Sequence, residues 1–228
     1  MNYSVDCRLI SPESKFKFIE GLDSEAGFNF YNVSFSPFYG TNFLIKNVMD
    51  RLLSLFFLIL SIPIIIIASL FILLQDGFPI FFKQKRTGWD GKSFNIYKIR
   101  TLVKSENISR TEQVKAGDKR VTGFGSILRR FSIDELPQLI NVLKGDMSIV
   151  GPRPEIPQYT ALYSDEEKKI LSVRPGITDL ATLWIRDKGD LVLGSEDPEE
   201  IYLKQIRPEK IRLQLQYVEE KSTLLDIK

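Results

Sequence analysis

The hydrophobic positions of the chain are concentrated in one long segment, whereas elsewhere apolar and polar residues alternate over short distances. Residues 52–74 carry no charged side chain and would be about 34 Å long as an α-helix. Buried helices of soluble proteins rarely contain more than about 14 apolar residues without a break. The segment therefore predicts insertion into a membrane.

Pro63 lies near the middle of this apolar segment. It has no N–H to donate to the carbonyl of Ile59, and the hydroxyl of nearby Ser61 is suited to satisfy a freed backbone group. Basic residues precede and follow the segment: Lys46, Arg51, Lys83, Lys85 and Arg86. Because positive charge favours the cytoplasmic side, the residues predict a re-entrant helix–break–helix over 46–78, with a kinked full span as the alternative.

Beyond the membrane segment, residues 79–228 predict an α+β domain that is mostly helical with a small sheet. Two short strands joined by a turn are predicted at Pro79–Gln84, Gly88–Gly91 and Phe94–Arg100. Helical periodicity predicts three helices, the last interrupted at Pro208: Leu136–Leu143, Asp165–Leu171 and Pro198–Glu220. Residues 1–45 form an aromatic-rich N-terminal extension, either at the membrane interface or as a loosely ordered head.

Composition restricts the chemistry that this chain can perform. Lys and Arg total 31 against 29 Asp and Glu, a net charge of +2 that does not indicate nucleic-acid binding. The absence of histidine excludes catalysis by His-containing triads, and a single cysteine excludes an internal disulfide or a Cys-based metal site. Carboxylates, lysines, arginines, hydroxyls and a hard metal ion remain, and these favour phosphate chemistry.

A basic stretch follows the membrane segment directly, with Asp90 as its one acidic residue. Its basic residues are Lys83, Lys85, Arg86, Lys92, Lys98, Arg100 and Lys104. Attraction to anionic lipid headgroups explains such a stretch, and a phosphorylated substrate at the membrane surface would require the same charge.

Two further motifs have both a structural and a chemical interpretation. Ser132 and Glu135 match a helix capping box, but the adjacent acids Asp134 and Glu135 could instead act as nucleophile and metal ligand. Arg153 lies between two prolines. This segment is either a structural turn or a stiff loop that presents the Arg153 guanidinium. Arg174 lies in a similar turn, and Gly123–Gly125 is interpreted as a turn only.

In this order, the motifs resemble the bacterial sugar transferase family, monotopic polyprenyl-phosphate phosphoglycosyl transferases, in its small form. The resemblance extends from Lys46 to the C-terminus. It rests on the segments 84–88, 97–101, 128–139, 141–148, 151–154 and 174–178. The chain departs from the family pattern at Ile62, where members often have Ser before Pro63, over residues 179–185, where Asp179 stands in place of the common Gly, and at Gln214, where many members have an acid.

The resemblance implies a fold and an activity. It implies a re-entrant helix broken at Pro63 that anchors a cytoplasmic catalytic domain to the bacterial inner membrane. It also implies transfer of a sugar-1-phosphate from a UDP-sugar to undecaprenyl phosphate with release of UMP, the first membrane step of surface glycan assembly. Asp134 would be the nucleophile, and Glu135 with Asp134 would bind Mg²⁺.

The resemblance also implies binding residues and partners. Substrate contacts are expected from Lys98, Arg100, Arg129, Arg153, Arg174 and Arg186. The partners expected are the two substrates, membrane lipid, a second copy of the chain and downstream glycosyltransferases, with no nucleic acid. A catalytically inactive scaffold that binds polyprenyl phosphate is the alternative, and retention of both Asp134 and Glu135 argues against it.

Overall fold

The computed structural model describes residues 37–103, 121–188 and 202–227. Side chains are described over 42–103, 121–185, 202 and 204–227. Most of the expected N-terminal extension therefore lies outside the described residues, as does Lys104.

The predicted membrane segment belongs to one long helix, α1, which runs from Pro37 to Asp76 and contains Pro63. The hydroxyl of Ser61 donates to the carbonyl of Leu58 at 3.0 Å, one residue before the carbonyl that Pro63 leaves without its donor. Because the helix continues through Pro63, two separate helices are not confirmed, and the re-entrant path stays a prediction.

Over residues 47–61, the buried side of α1 is polar and the exposed side is apolar, the reverse of a helix in a soluble protein. Asn47, Asp50, Ser54 and Ser61 are buried. Fourteen large apolar residues between Leu52 and Leu74 are exposed, among them Phe56, Phe57, Ile59, Leu60, Ile66 and Ile67. The stretch Asn42–Asp76 has a mean hydropathy of 3.0 and is long enough to cross a membrane.

Both ends of α1 contact the domain that follows it. Near its start, Asp50 accepts a 2.7 Å hydrogen bond from the Ser148 hydroxyl. Near its end, Ala68 and Ile72 pack in one buried cluster with Leu128 and Ile99. The middle of the helix carries most of the exposed apolar surface between these two contacts.

A two-stranded hairpin follows α1. Strand β1, Phe81–Thr87, pairs antiparallel with β2, Ser93–Ile99, so that Phe81 lies opposite Ile99 and Thr87 opposite Ser93. A short 3₁₀ turn at Trp89–Gly91 joins them. The predicted strand–turn–strand unit is confirmed, but β1 begins two residues later than predicted because Pro79 has no N–H for the strand ladder.

Helix α2, Gly123–Arg130, corrects the interpretation of Gly123–Gly125 as a turn only. The Thr122 hydroxyl caps it by accepting from the Gly125 N–H at 2.9 Å. A 3₁₀ helix at Ile133–Gln138 then leads into α3, Leu139–Lys144. This turn-helix unit replaces the single helix that was predicted over 136–143.

A second, parallel sheet was not predicted. Strand β3, Ser148–Val150, pairs with β4, Gly176–Thr178, and strands of three residues are too short to show alternation. The remaining elements are α4 (Pro157–Thr160), a 3₁₀ helix (Glu167–Ser172), α5 (Leu180–Lys188), a π-helical turn (Tyr202–Ile206), α6 (Arg207–Glu220) and α7 (Thr223–Ile227).

Pro208 lies in the first turn of α6, where a missing N–H costs nothing, so the predicted interruption is the change from π-helical turn to α-helix.

Candidate active site

The predicted acid pair, Asp134 and Glu135, lies in the 3₁₀ helix between α2 and α3. Ser132 immediately before it adopts the left-handed conformation, with φ 55°, and its side chain makes no capping hydrogen bond. The capping-box interpretation is therefore wrong, because the Ser132 hydroxyl caps no backbone N–H and the Glu135 side chain binds cations instead. The backbone still closes the turn, with the Glu135 N–H donating to the Ser132 carbonyl at 3.1 Å.

Glu135 binds two cations from distant parts of the chain. Its Oε1 accepts from Lys98 Nζ at 2.7 Å and also pairs with the Arg153 guanidinium. Lys98 comes from β2, and Arg153 from the proline-flanked loop after β3. Burial alone would raise the pKa of Glu135, but Arg153 and Lys98 lower this pKa to about 2. Glu135 is therefore a permanent anion at neutral pH.

Asp134 differs from its neighbour although only 5% of its surface is exposed. Within the described ranges, no side chain donates a hydrogen bond to its carboxylate. Burial raises the pKa of Asp134 above its usual value; Lys98 and Arg129 oppose this shift and Glu135 adds to it. The site thus combines Glu135, which is ionised and bound to two cations, with Asp134, whose carboxylate accepts no side-chain hydrogen bond within the described ranges.

Two other predicted binding residues have well-defined partners. Arg129 donates from Nε to the Thr101 hydroxyl at 2.7 Å and contributes to the field at Asp134. Arg100 is buried and donates to the carbonyls of Asp76 and Gly77 at 2.8 and 2.7 Å, at the end of α1. Arg100 therefore binds the end of the membrane helix rather than the acid pair.

Arg174 and Arg186 are not joined to the acid pair by any described contact. The Arg174 guanidinium carbon lies 5.2 Å from the Phe43 ring centroid and 5.1 Å from that of Trp89, as cation–π contacts. Arg186 lies in α5, but its side chain is outside the described residues. The binding roles of both arginines stay predictions.

A second charged group, which sequence reasoning missed, adjoins the first. Arg86 donates to the Pro154 carbonyl at 3.1 Å, and the nearby Glu135 and Glu155 both act electrostatically on it. Glu155 in turn pairs with buried Lys210 and accepts from the Tyr202 hydroxyl at 3.2 Å. Two residues of the basic stretch that follows the membrane segment therefore interact with acids of the domain. Lys98 pairs with Glu135, and Arg86 lies within electrostatic reach of Glu135 and Glu155.

Two of the residues that depart from the family pattern, Asp179 and Gln214, lie against each other. Gln214 Nε2 donates to Asp179 Oδ2 at 2.9 Å, and both side chains are buried. Positions 35 residues apart are thereby joined, a contact that no local sequence signal predicts.

A bound Mg²⁺ would find two adjacent carboxylates here. Among the described residues there is no group of three or more acidic, His or Cys side chains that could hold a metal. Mg²⁺ commonly binds one or two carboxylates and completes its shell with waters and substrate phosphates. Asp134 and the second oxygen of Glu135 fit that donor set.

The fold and the site together are typical of an enzyme that is attached to a membrane and acts on phosphate groups. An apolar helix of membrane length is joined to a domain in which an aspartate adjoins a cation-bound glutamate and several arginines, an arrangement suited to phosphate groups at a membrane surface.

Comparison with known proteins is specific. The family model for bacterial sugar transferases matches residues 41–228, and the chain belongs to this family. The chain is 35% identical to the uncharacterised sugar transferase EpsL of Bacillus subtilis, over 81% of this chain and 83% of EpsL.

Two longer relatives have more specific names. The UDP-glucose:undecaprenyl-phosphate glucose-1-phosphate transferase of Escherichia coli is 36% identical over 85% of this chain and 40% of its own length. An Aeromonas hydrophila UDP-N-acetylgalactosamine-undecaprenyl-phosphate N-acetylgalactosaminephosphotransferase is 37% identical over 64% of this chain and 34% of its own length. The chain thus spans well under half of these two relatives.

Proposed function

We propose that this protein transfers a sugar-1-phosphate from a UDP-sugar to undecaprenyl phosphate. An oxygen of Asp134 bonds to the phosphorus that carries the sugar, while the bond from that phosphorus to the bridging oxygen breaks and UMP leaves with the electron pair. An oxygen of the lipid phosphate then bonds to the same phosphorus, and the bond to Asp134 breaks. This step restores the carboxylate and yields the lipid diphosphate sugar.

The observation that carries the proposal is the contrast between the two acids. A nucleophile must be ionised and unobstructed, and Asp134 has no side-chain hydrogen bond among the described residues. Glu135 pairs with Lys98 and Arg153, and without it these two cations would bind the nucleophile. A carboxylate needs no activating base, which suits a chain without histidine.

The surrounding cations are suited to the substrate phosphates. Lys98 and Arg129 lie within electrostatic reach of Asp134, and Arg153 adds a guanidinium beside Glu135. Guanidinium groups bind phosphate oxygens in pairs, so these residues would orient the diphosphate for displacement. Arg100, Arg174 and Arg186 remain proposed contacts for parts of the substrates further from the reacting phosphorus.

Mg²⁺ is proposed as the cofactor, held by Asp134 and Glu135. When bound, it would neutralise charge on the diphosphate and on the departing UMP. Treatment with EDTA should therefore abolish UMP release, and added Mg²⁺ should restore it. Full turnover in metal-free buffer would rule out this role for the acid pair.

The path of α1 is proposed to be re-entrant, with the domain on the cytoplasmic face of the inner membrane. The contacts of Asp50 with Ser148 and of Ile72 with Leu128 support this path, because both ends of the helix meet the same domain. A long-chain acceptor stays in the bilayer, so a site beside this helix is within reach of its phosphate. Cysteine labelling at positions 46 and 80 from opposite sides of the membrane would contradict the path.

The sugar is proposed only as a class. The relatives are named for glucose and for N-acetylgalactosamine, so similarity to them does not select one sugar. The role in surface glycan assembly, including exopolysaccharide, capsule, O-antigen or glycoprotein glycans, follows from the lipid diphosphate product.

The decisive experiment measures UMP release by the purified protein with undecaprenyl phosphate, Mg²⁺ and a panel of UDP-sugars. We expect release with at least one sugar, and a loss of about 10³-fold or more in the Asp134→Asn variant. Asp165→Asn, which changes an acid in an exposed ion pair, is the matched control and should retain the rate. Silence of the folded protein across the panel would favour the inactive scaffold.

The same variant should not lose stability. Burial raises the pKa of Asp134, so ionised Asp134 lowers the stability of the folded protein relative to the unfolded chain above its ordinary pKa. Asparagine resembles the neutral acid, and the unfolding midpoint should stay equal or rise. A large fall in the unfolding midpoint of Asp134→Asn would mean that its lost turnover reflects misfolding.

A further inference from the structure

Asp179 is a buried carboxylate that connects three parts of the fold, with 3% of its surface exposed. Its Oδ1 accepts from the Thr182 N–H at 2.5 Å, which caps the start of α5. Its Oδ2 accepts from the Arg153 N–H at 3.0 Å and from Gln214 Nε2 at 2.9 Å. One side chain thus joins the end of β4, the loop after β3 and helix α6.

The bond to the Arg153 N–H is the one that reaches the acid pair. The guanidinium of Arg153 donates to the Ile177 carbonyl at 2.9 Å and pairs with Glu135. Prolines on both sides of Arg153 limit the internal freedom of the loop but do not place the loop against β4. Asp179 supplies that placement for the backbone, and Ile177 supplies it for the side chain.

Gln214 completes this arrangement from the other side. Its side chain is 1% exposed and donates to the same Asp179 oxygen that holds the loop. A buried carboxylate without donors is costly, so the three N–H groups are what make Asp179 tolerable at this point. Helices α5 and α6 therefore fix the position of the Asp179 carboxylate, and the carboxylate in turn fixes the backbone of the Arg153 loop.

We propose that Asp179 is a positioning residue of the transferase site. It holds the Arg153 backbone so that the guanidinium binds Glu135 beside Lys98, which keeps both cations hydrogen-bonded to Glu135 rather than to the Asp134 carboxylate. The effect on turnover rests on the proposed function, whereas the effect on the loop does not. Asp179 itself touches neither the acid pair nor, in this proposal, the substrate.

Hydrogen exchange tests the loop directly. Arg153 is flanked by Pro152 and Pro154, which have no amide hydrogen, so peptides over 151–154 report almost only its N–H. In Asp179→Ala, the Arg153 N–H loses its side-chain acceptor, and we expect exchange there to be about tenfold faster or more. Unchanged protection of this amide would overturn the proposal, whatever the activity of the protein.

A swapped variant separates positioning from folding. The double variant Asp179→Asn/Gln214→Glu restores a buried carboxylate and a side-chain hydrogen bond between the two positions. Its unfolding midpoint should therefore lie close to that of the wild type. The Arg153 N–H still lacks its acceptor, so its exchange should stay fast and kcat should stay low. Recovery of kcat together with the midpoint would reduce Asp179 to a structural residue and overturn the proposal.

A double-mutant cycle tests whether Asp179 acts through Arg153. We expect Asp179→Asn to lower kcat about 10–100-fold in the wild-type background. In an Arg153→Gln background, the same change should lower kcat little further, because the guanidinium is already gone. Fully multiplicative losses would overturn the proposal. A wild-type protein that releases no UMP would count against the proposed function, and the exchange experiment would still decide on Asp179.

Discussion

Glu135, which is half-buried, and Glu155, which is buried, each pair with a lysine, and Arg86 lies within electrostatic reach of both. Glu155 accepts from Lys210 and Tyr202, and its pKa is lowered because Lys210 outweighs the effect of burial. Glu135 shares one oxygen between two cations and adjoins an acid whose pKa is raised.

The difference lies in what each group leaves unbonded. A buried ion pair whose members satisfy each other serves mainly the structure, since removing either member leaves an uncompensated charge. A group in which two neighbouring acids have pKa values moved in opposite directions is typical of a reactive site. The same residue types therefore form a structural pair at Glu155 and a candidate active site at Glu135.

The largest effect on folding is expected at the structural pair. Glu155→Gln leaves Lys210 buried without its partner and should lower the free energy of unfolding by about 3–5 kcal/mol. Urea unfolding monitored by tryptophan fluorescence measures this loss. Adding Lys210→Met to the same chain should return much of the stability, and a single variant as stable as wild type would mean that the pair is not structural.

A smaller free-energy effect, seen in turnover rather than in stability, is expected at the candidate active site. Glu135→Gln releases Lys98 and Arg153, which are then attracted to Asp134 and make it a poorer nucleophile. UMP release should fall by about 100-fold, equal to about 2.7 kcal/mol in activation free energy. Equal turnover losses in Glu135→Gln and Glu155→Gln, measured on folded protein, would remove the distinction between the two groups.

The pH dependence of turnover sharpens the comparison further. Asp134 must be ionised to attack, so the rate should rise with pH through its raised pKa. Lys98→Met removes a positive charge that favours the ionised form, so the acid limb of kcat/KM should move to higher pH. Glu135→Gln removes a negative charge and should move that limb to lower pH.

Shifts of the acid limb in the same direction for both variants would contradict the assignment of this limb to Asp134. Lys210→Met, at the structural pair, should leave its position unchanged.

The smallest effect is expected at an exposed ion pair. Lys168 and Asp165 lie 2.8 Å apart on the surface, and the Asp165 side chain is 85% exposed. Solvent and salt screen such a pair, so Asp165→Asn should change neither the unfolding midpoint nor turnover measurably. A clear fall in the unfolding midpoint or in turnover would contradict the expectation that only buried charges determine the stability and activity of this domain.

Local patterns predicted those elements whose cause is local. The length of the apolar run predicts α1, and alternation predicts the β1–β2 hairpin. The parallel pair of β3 and β4 was missed because each strand is three residues long and their pairing depends on contacts more than 20 residues apart. Helix α2 was missed because Gly123–Gly125 was interpreted from its glycines alone, whereas the Thr122 hydroxyl caps a helix that begins there.

The sequence by itself determined the kind of chemistry and the membrane segment. Without histidine, and with adjacent Asp134 and Glu135 among basic motifs, carboxylate and phosphate chemistry remained, and the charge-free run required an apolar environment. These conclusions depend on residue types and on spacings of a few residues, which the chain carries in any conformation.

Only the tertiary structure decided which cations meet the acid pair. Lys98 and Arg153, 37 and 18 residues from Glu135, bind it, whereas Arg100 binds the end of α1. Lys98 and Arg100 are two residues apart, but β2 ends at Ile99, so strand alternation no longer places both side chains on one face. Burial then set the pKa values of the two acids apart, and burial depends on the packing of the whole domain.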